Sequence, residues 1–209
     1  MFGALRGRAA DPRLVGLTQG ERLRGVLVEL GTTWVKFGQM LSLRPDVVGP
    51  DVARELEVLQ AAVPPDPKGV AQALVEAELG MPVDEAFAAF DPDPLASGSV
   101  AQVHTATLHD GTEVVVKVLH QGAEREVADD LALMVALARF LEERDQEIAQ
   151  YRPSMLVGEF AGMMRSAVDL SQEMSNLQQF AANFAGEPDV VIPKAYPEVS
   201  TRRILTMER

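Results

Sequence analysis

The sequence predicts an α+β fold: a small antiparallel sheet, a helical extension before it and long helices inserted within it. Three observations carry this. Apolar residues recur at helical spacing from Leu23 to Leu41 and again beyond Leu131. Between them lies a Val- and Thr-rich stretch, Ser99 to Leu119, broken at Asp110-Gly111 in the manner of a hairpin. Proline-rich joins such as Pro64-Pro65 and Asp91-Pro92-Asp93-Pro94 punctuate the chain.

The elements follow in chain order. Leu23, Leu27, Leu30, Trp34, Phe37 and Leu41 draw one apolar stripe, so a single helix is expected up to Pro45. Asp51 is placed as the N-cap of a second helix carrying Val52, Leu56 and Leu59 and ended by Pro64-Pro65. Asp66-Pro67 reads as cap and first turn of a third helix that stops at Gly80, and a short helix is expected over 83–90. The rigid loop Asp91 to Pro94 marks an organisational boundary. Strands are expected over 99–108 and 112–119, joined by a tight turn at His109-Asp110-Gly111. Residues 124–149 read as one long helix with Leu131, Met134, Leu137 and Leu141 inward. Pro153 opens another, whose stripe of Leu156, Phe160, Met163, Ala167, Leu170, Met174, Leu177 and Phe184 runs to Gly186. Residues 190–193 read as extended, and two short strands, 195–199 and 203–208, are expected after them. The division is a flexible basic leader over 1–19, a helical extension over 20–92 and a sheet domain over 93–209.

Composition narrows the function classes. The 209 residues are 47% hydrophobic and 24% charged, the balance of a folded globular chain. There is no cysteine, which excludes disulfides and thiolate metal sites and agrees with a reducing, cytoplasmic location. A net charge of −12 repels phosphate backbones, so no nucleic-acid partner is expected. No apolar run approaches the roughly 20 residues that span a bilayer. The longest, Leu131 to Leu141, is interrupted by Arg139. Residues 1–24 carry Arg6, Arg8, Arg13, Arg22 and Arg24 against Asp11 and Glu21 and have no apolar core, so they do not read as a secretory signal. A solvated leader is the plainer reading, and a peripheral membrane contact is the other.

The chemistry-bearing candidates begin with Lys117. It interrupts the valine run Val114 to Val118 on a strand, where a charge is costly to bury without a partner. Snorkelling from an edge strand is the plain explanation. Upstream lies the small-residue turn Ala96-Ser97-Gly98-Ser99, which lets backbone N–H groups approach a phosphate closely. Loop, strand, hairpin and lysine-bearing strand is the order that protein kinases use to cover and grip ATP phosphates. A local cationic cleft of this kind is compatible with the acidic net charge. Such a lysine needs an acid to hold it. Glu173 is the candidate, on the same expected helix face as Asp169 and Asn176, although a solvated face would also account for these three. In the first helix, Lys36 and Gln39 project from one side, i to i+3, around Gly38. A helical glycine costs about 1 kcal/mol relative to alanine and is best tolerated where another backbone comes close. A polar pair of this sort is ordinarily surface.

Taken together, these residues resemble the ABC1/UbiB atypical kinase-like family, also called AarF or ADCK. Leu30 to Gln39 followed by Leu43-Arg44-Pro45-Asp46 is similar to the family's KxGQ signature. Val63-Pro64-Pro65 resembles its next landmark, and Pro94 to His104 its alanine-rich loop and QVH strand. Val114 to Lys117 resembles its VAVK strand, and Pro193 with Ile204 to Glu208 the strand that leads into the hinge. The similarity runs in order from about residue 20 onward.

The resemblance implies a protein-kinase-like N-lobe with an N-terminal helical extension and inserted helices, and the expectation is that the C-lobe is absent beyond Arg209. It implies that Ala96, Ser97, Gly98 and Ser99 form the nucleotide loop, that Lys117 meets the ATP phosphates and that Glu173 holds Lys117. It places Lys36, Gln39, Asp169 and Asn176 in a family-specific cleft. ATP and Mg²⁺ are the implied cofactors, with the Mg²⁺ ligands and the catalytic residues expected only in the missing lobe, and no metal site in this chain. The family is linked to isoprenoid quinone lipid metabolism, so an isoprenoid lipid or a membrane surface joins the adenine nucleotide among the implied partners. One departure stands out: the family carries an E-x-D pair where this chain has Ala167-Val168-Asp169. The expected function is a truncated, kinase-like protein with an ATP-binding half-site, inactive alone and self-associating through its exposed lobe interface. The alternative is a non-catalytic interaction or regulatory module that keeps only the scaffold.

Overall fold

Residues 16–60 and 63–209 are described by the computed structural model. Most of the basic leader expected over 1–19 therefore lies outside the described residues. Two compact units divide the chain, residues 1–61 and residues 62–209.

The first unit is helical. Helix α1 is Gln19–Leu30, α2 is Thr32–Ser42, α3 is Pro45–Val48 and α4 is Pro50–Glu57. Thr18 starts α1 through a capping box: its hydroxyl accepts from the Glu21 amide at 3.2 Å, and its own amide donates to the Glu21 carboxylate at 2.7 Å. The stripe read as one helix from Leu23 to Leu41 is two helices. Gly31 breaks it with φ of 106°, a conformation that favours glycine. Periodicity could not show the break, because both pieces present leucines to α4. Leu27, Trp34, Val35, Leu41, Ala53, Leu56 and Leu59 form this unit's buried apolar set. Helix α4 begins with Pro50 after Gly49, so Asp51 lies in the first turn and is not the cap. Gly38 is buried for a packing reason. A Cβ there would lie 2.5 Å from a Leu59 methyl and 2.7 Å from a Leu27 methyl. Two side chains, not a backbone, come close.

In the second unit, α5 is Val70–Leu79, α6 is Val83–Ala86, β1 is Ala89–Phe90, β2 is Ala96–Ser97, β3 is Ala101–Thr107 and β4 is Glu113–Leu119. Then come α7 (Ala123–Arg144), α8 (Gln146–Ala149), α9 (Pro153–Ala167), α10 (Leu170–Asn183) and β5 (Ile204–Glu208). The antiparallel sheet runs β1-β3-β4-β5, with β2 also paired to β3. The β3–β4 hairpin turns as expected, with Gly111 at φ of 89°. On one sheet face Val114, Val116 and Val118 are fully buried against Val75, Phe87, Tyr196 and Ile204. On the other face Val115 and Lys117 are half-buried. Because β1 pairs with β3, the Asp91–Pro94 loop is a connection inside this unit.

Several expected boundaries move, each for a local reason. Residues 89–90 are strand, so the short helix ends at Ala86. Helix α5 starts at Val70 because Asp66, the expected cap, is engaged elsewhere: its amide donates to Gln102 and its carboxylate accepts from the Gln121 amide. The helix read over 124–149 breaks at Asp145, whose carboxylate caps α8 by accepting from Glu147 and Ile148 amides. The helix read from Pro153 to Gly186 breaks at Asp169, which caps α10. Leu137 and Met163, expected inward, are 44% and 55% exposed. In the segment expected to be strand, Pro197–Val199 is a 3-10 turn, and Ala195 makes a single bridge to Met207.

The α7–α9 pairing is fastened at one end by Ser154. Its hydroxyl and amide both donate to Glu142, at 2.6 and 2.8 Å. These bonds hold the Glu142 carboxyl below its ordinary value. A depressed carboxyl stabilises the fold above its unfolded value, and that contribution is lost as pH falls through the folded value. Ser154→Ala should therefore lower the urea midpoint at neutral pH, and its gap to wild type should shrink as pH falls below the ordinary value of 4.5. In the first unit, Gly25 is exposed mid-helix with nothing within 4 Å of its would-be Cβ. Gly25→Ala should raise stability by about 0.5–1 kcal/mol. Gly38→Ala should lower it, because overpacking costs about 1–3 kcal/mol against a propensity gain of about 1 kcal/mol. Thermal melts followed by circular dichroism read both signs.

Candidate phosphate-gripping site

Lys117 sits in the middle of the sheet. Its backbone lies opposite Val103 on β3 and Leu205 on β5, so β4 has neighbours on both sides. This removes the edge-strand explanation for a lysine among valines. Its ammonium donates to a Glu173 carboxylate oxygen at 2.6 Å, across 56 residues of sequence. The side chains are 26% and 41% exposed. An ion pair this open adds on the order of 0–1 kcal/mol to stability. Its consequence is orientation: the ammonium is held over the half-buried sheet face, where a solvent-accessible anion can reach it.

Glu173 is placed by the start of α10. The Asp169 carboxylate accepts from the Ser171 hydroxyl at 2.5 Å and the Ser171 amide at 3.3 Å. Its other oxygen lies 3.2 Å from the Arg202 guanidinium. The Leu170 amide donates to the Arg202 carbonyl at 2.8 Å, just before β5 begins. The helix end that carries Glu173 is thus tied to the strand beside Lys117. An acid in a first helical turn also meets a favourable helix dipole. Asp169 is therefore a cap; it does not share a projecting face with Glu173 and Asn176. Asn176 is exposed.

Residues Ala96 to Ser99 form β2 and the turn into β3. The Gly98 amide donates to the Ala101 carbonyl at 2.8 Å, closing the turn. The Ser99 and Val100 amides at the tip have no backbone acceptor among the described residues. Such free N–H groups at a small-residue turn are the chemistry that receives phosphate oxygens.

Beneath this loop runs a buried polar chain that sequence reasoning missed. Gln102 and His104 alternate on β3 and are 2% and 1% exposed. They lie on the core face, opposite Val118 and Val116. His104 Nδ1 donates to the Asp91 carbonyl at 2.8 Å, which leaves Nε2 to accept from the Gln102 amide group at 2.9 Å. Gln102 Oε1 accepts from the Asp66 amide at 2.8 Å. The Asp66 carboxylate stands 3.3 Å from His120 Nδ1, and His120 Nε2 reaches the Gly98 carbonyl at 3.0 Å. The available signal was two polar residues at core-facing strand positions.

Lys36 and Gln39 belong to the first unit. Gln39 donates to the Leu59 carbonyl at 2.9 Å, just past α4, which is a packing role. Lys36 is half-buried. Among the described residues no group of three or more His, Asp or Glu side chains is placed to hold a metal ion. No described helix is long and apolar enough to cross a membrane.

Comparison with known proteins identifies the family. The family model for the ABC1 atypical kinase-like domain matches residues 58–209. A protein named probable protein kinase UbiB from Cellvibrio japonicus is 43% identical over 193 residues, covering 92% of this chain and 35% of that protein. A protein of the same name from Pseudomonas paraeruginosa is 40% identical over 206 residues, covering 99% of this chain and 39% of that one. The chain thus spans little more than a third of the length of these relatives. Among solved structures, the Rv3197–erythromycin complex from Mycobacterium tuberculosis aligns with a TM-score of 0.54 and 26% identity, over 90% of this chain and 47% of that one.

The buried chain makes its own prediction. Gln102→Leu removes one link and leaves the Asp66 amide and His104 Nε2 unsatisfied. It should cost about 1–3 kcal/mol in urea unfolding, more than Thr105→Val on the half-buried face.

Proposed function

We propose, from the premise that this chain belongs to the ABC1 atypical kinase-like domain family, that its second unit grips the phosphates of ATP. The observation that carries this is the Lys117–Glu173 pair on a central strand. A charge kept there at little gain in stability is explained by a ligand that uses it. In this reading Lys117 meets the phosphate oxygens, Glu173 keeps the ammonium aimed, and the tip amides of the Ala96–Ser99 turn cover the phosphates from above. The half-exposure of both side chains supports it, since the pair has room to open toward a ligand.

Phosphoryl transfer also needs a metal-holding acid set and a group that receives the substrate proton. No metal-holding set is present among the described residues, so no step through Mg²⁺ is assigned to them. We read this chain as the nucleotide-holding part of a kinase-like protein, unable to turn ATP over by itself. A place for the whole protein in isoprenoid quinone lipid biosynthesis, and any lipid or membrane contact, is proposed on family grounds. Self-association is proposed through exposed apolar side chains such as Leu133, Leu137 and Phe140 on α7 and Met155 and Met163 on α9. The second reading, a scaffold without nucleotide, is favoured by Ala167, which closes α9 where the family carries an acid.

The test is a calorimetric titration with Mg²⁺ and a non-hydrolysable ATP analogue, for the chain alone and with the remainder of a full-length relative added. Binding that weakens at least about tenfold, a loss of about 1.4 kcal/mol, in Lys117→Ala is expected. Equal binding by wild type and Lys117→Ala overturns the assignment of Lys117. No binding in either format leaves the scaffold reading.

A further inference from the structure

We propose that His120, backed by Asp66, is a positioning residue that latches the turn at Gly98 and so aims the Ser99 amide at a bound phosphate. This rests on the nucleotide reading of the same site. His120 is 7% exposed and follows directly on β4, the strand that carries Lys117. It holds the turn twice. Its backbone amide donates to the Val100 carbonyl at 2.9 Å. Its Nε2 donates to the Gly98 carbonyl at 3.0 Å, with the Ser97 hydroxyl at 3.4 Å.

The direction of the Ser99 amide follows from the planar trans peptide. The Gly98 carbonyl and the Ser99 N–H belong to one peptide group and point opposite ways. Drawing the carbonyl down onto His120 turns the N–H up and away from the protein interior. Because the Gly98 amide already donates to Ala101, the turn cannot rotate this peptide freely. The ring is itself oriented. Nε2 must be the donor to a carbonyl, and Nδ1 stands 3.3 Å from the Asp66 carboxylate without a hydrogen bond, so Asp66 braces the ring as an ion pair when Nδ1 carries a proton as well. Asp66 is fixed in turn by the Gln121 amide on its carboxylate and by its own amide on Gln102. One strand and the residue that directly follows it therefore supply both the cation for the phosphate and the latch for the loop above it.

The test compares His120→Ala with His120→Gln, whose side-chain amide donates from nearly the same place as Nε2. Two readouts are taken on the 209-residue chain: affinity for the non-hydrolysable ATP analogue with Mg²⁺, and amide hydrogen exchange across residues 97–101 without nucleotide. His120→Ala should speed exchange in the turn and weaken nucleotide binding by about three- to tenfold, the worth of one hydrogen bond. His120→Gln should restore most of both, and Asp66→Asn should fall between. The latch is overturned if His120→Ala keeps wild-type exchange in the turn. It is also overturned if His120→Gln fails as fully as alanine, since the loss is then one of packing. If wild type binds the analogue neither alone nor with the remainder of a full-length relative added, the nucleotide reading has failed, and turn exchange still decides whether His120 holds the loop.

Discussion

A lysine ammonium in the interior of a four-strand path is the constraint around which the second unit is arranged. β4 is flanked by β3 and β5, so Lys117 cannot lean off an edge into water. It must meet a counter-charge above the sheet face, and Glu173 supplies it at 2.6 Å. The start of α10 is what brings that acid there. The cap at Asp169, the Arg202 contact and the Leu170 amide bond to the Arg202 carbonyl together bring the first turn of α10 beside β5. The long inserted segment from α7 to α9 thus returns to the sheet at one defined point. The cap and the two Arg202 ties dock the helical insertion, and the ion pair that results contributes little to stability but sets where the ammonium points.

The two faces of the β3–β4 hairpin handle polarity in opposite ways. On the core face, Gln102 and His104 are almost wholly buried, and each polar atom described there is matched to a partner. A chain of this kind rigidifies what it joins, because any broken link strands a buried group. It joins the Asp91 backbone to the Asp66 segment; the Gly98 turn is bonded by His120, which stands beside the Asp66 carboxylate. On the other face, Val103, Thr105, Val115 and Lys117 stay half-buried and carry no comparable network. Rigidity below and accessibility above is the combination a ligand site needs, since the loop must hold still while the ligand enters.

The hairpin and the lysine strand were legible in sequence, because each has a local signature; the partner acid, 56 residues away, was named only from the kinase-like order of elements. Asp-Gly between Val-rich runs marks a turn, and a lone lysine in valine asks for an acid. The helix breaks were not legible. Asp145 and Asp169 sit inside stripes whose apolar spacing continues across them, so the period alone reads through. Only the short carboxylate's competing bonds to Glu147, Ile148 and Ser171 amides end the helix. Gly31 is the same case by another route, a left-handed-side φ that leaves the leucine stripe intact. The His120 latch and the Gln102 chain were invisible because their partners lie 22 and 36 residues away. Pairings of that range appear only once the strands are in register.

The same distinction bears on the KxGQ stretch that made the family resemblance so specific. Two of its residues are explained within the first unit by packing alone. Gly38 is the residue that lets Leu27 and Leu59 close over α2, where any Cβ would meet their methyls. Gln39 holds the Leu59 carbonyl at the end of α4, a group that the helix leaves without an internal donor. Both residues therefore serve the same leucine, one by absence of a side chain and one by a hydrogen bond. A sequence signature can be specific in part because it is a tight packing solution. Of the named residues in the signature, only Lys36 is left without a packing account. It is the position at which a functional role in this unit would have to be sought.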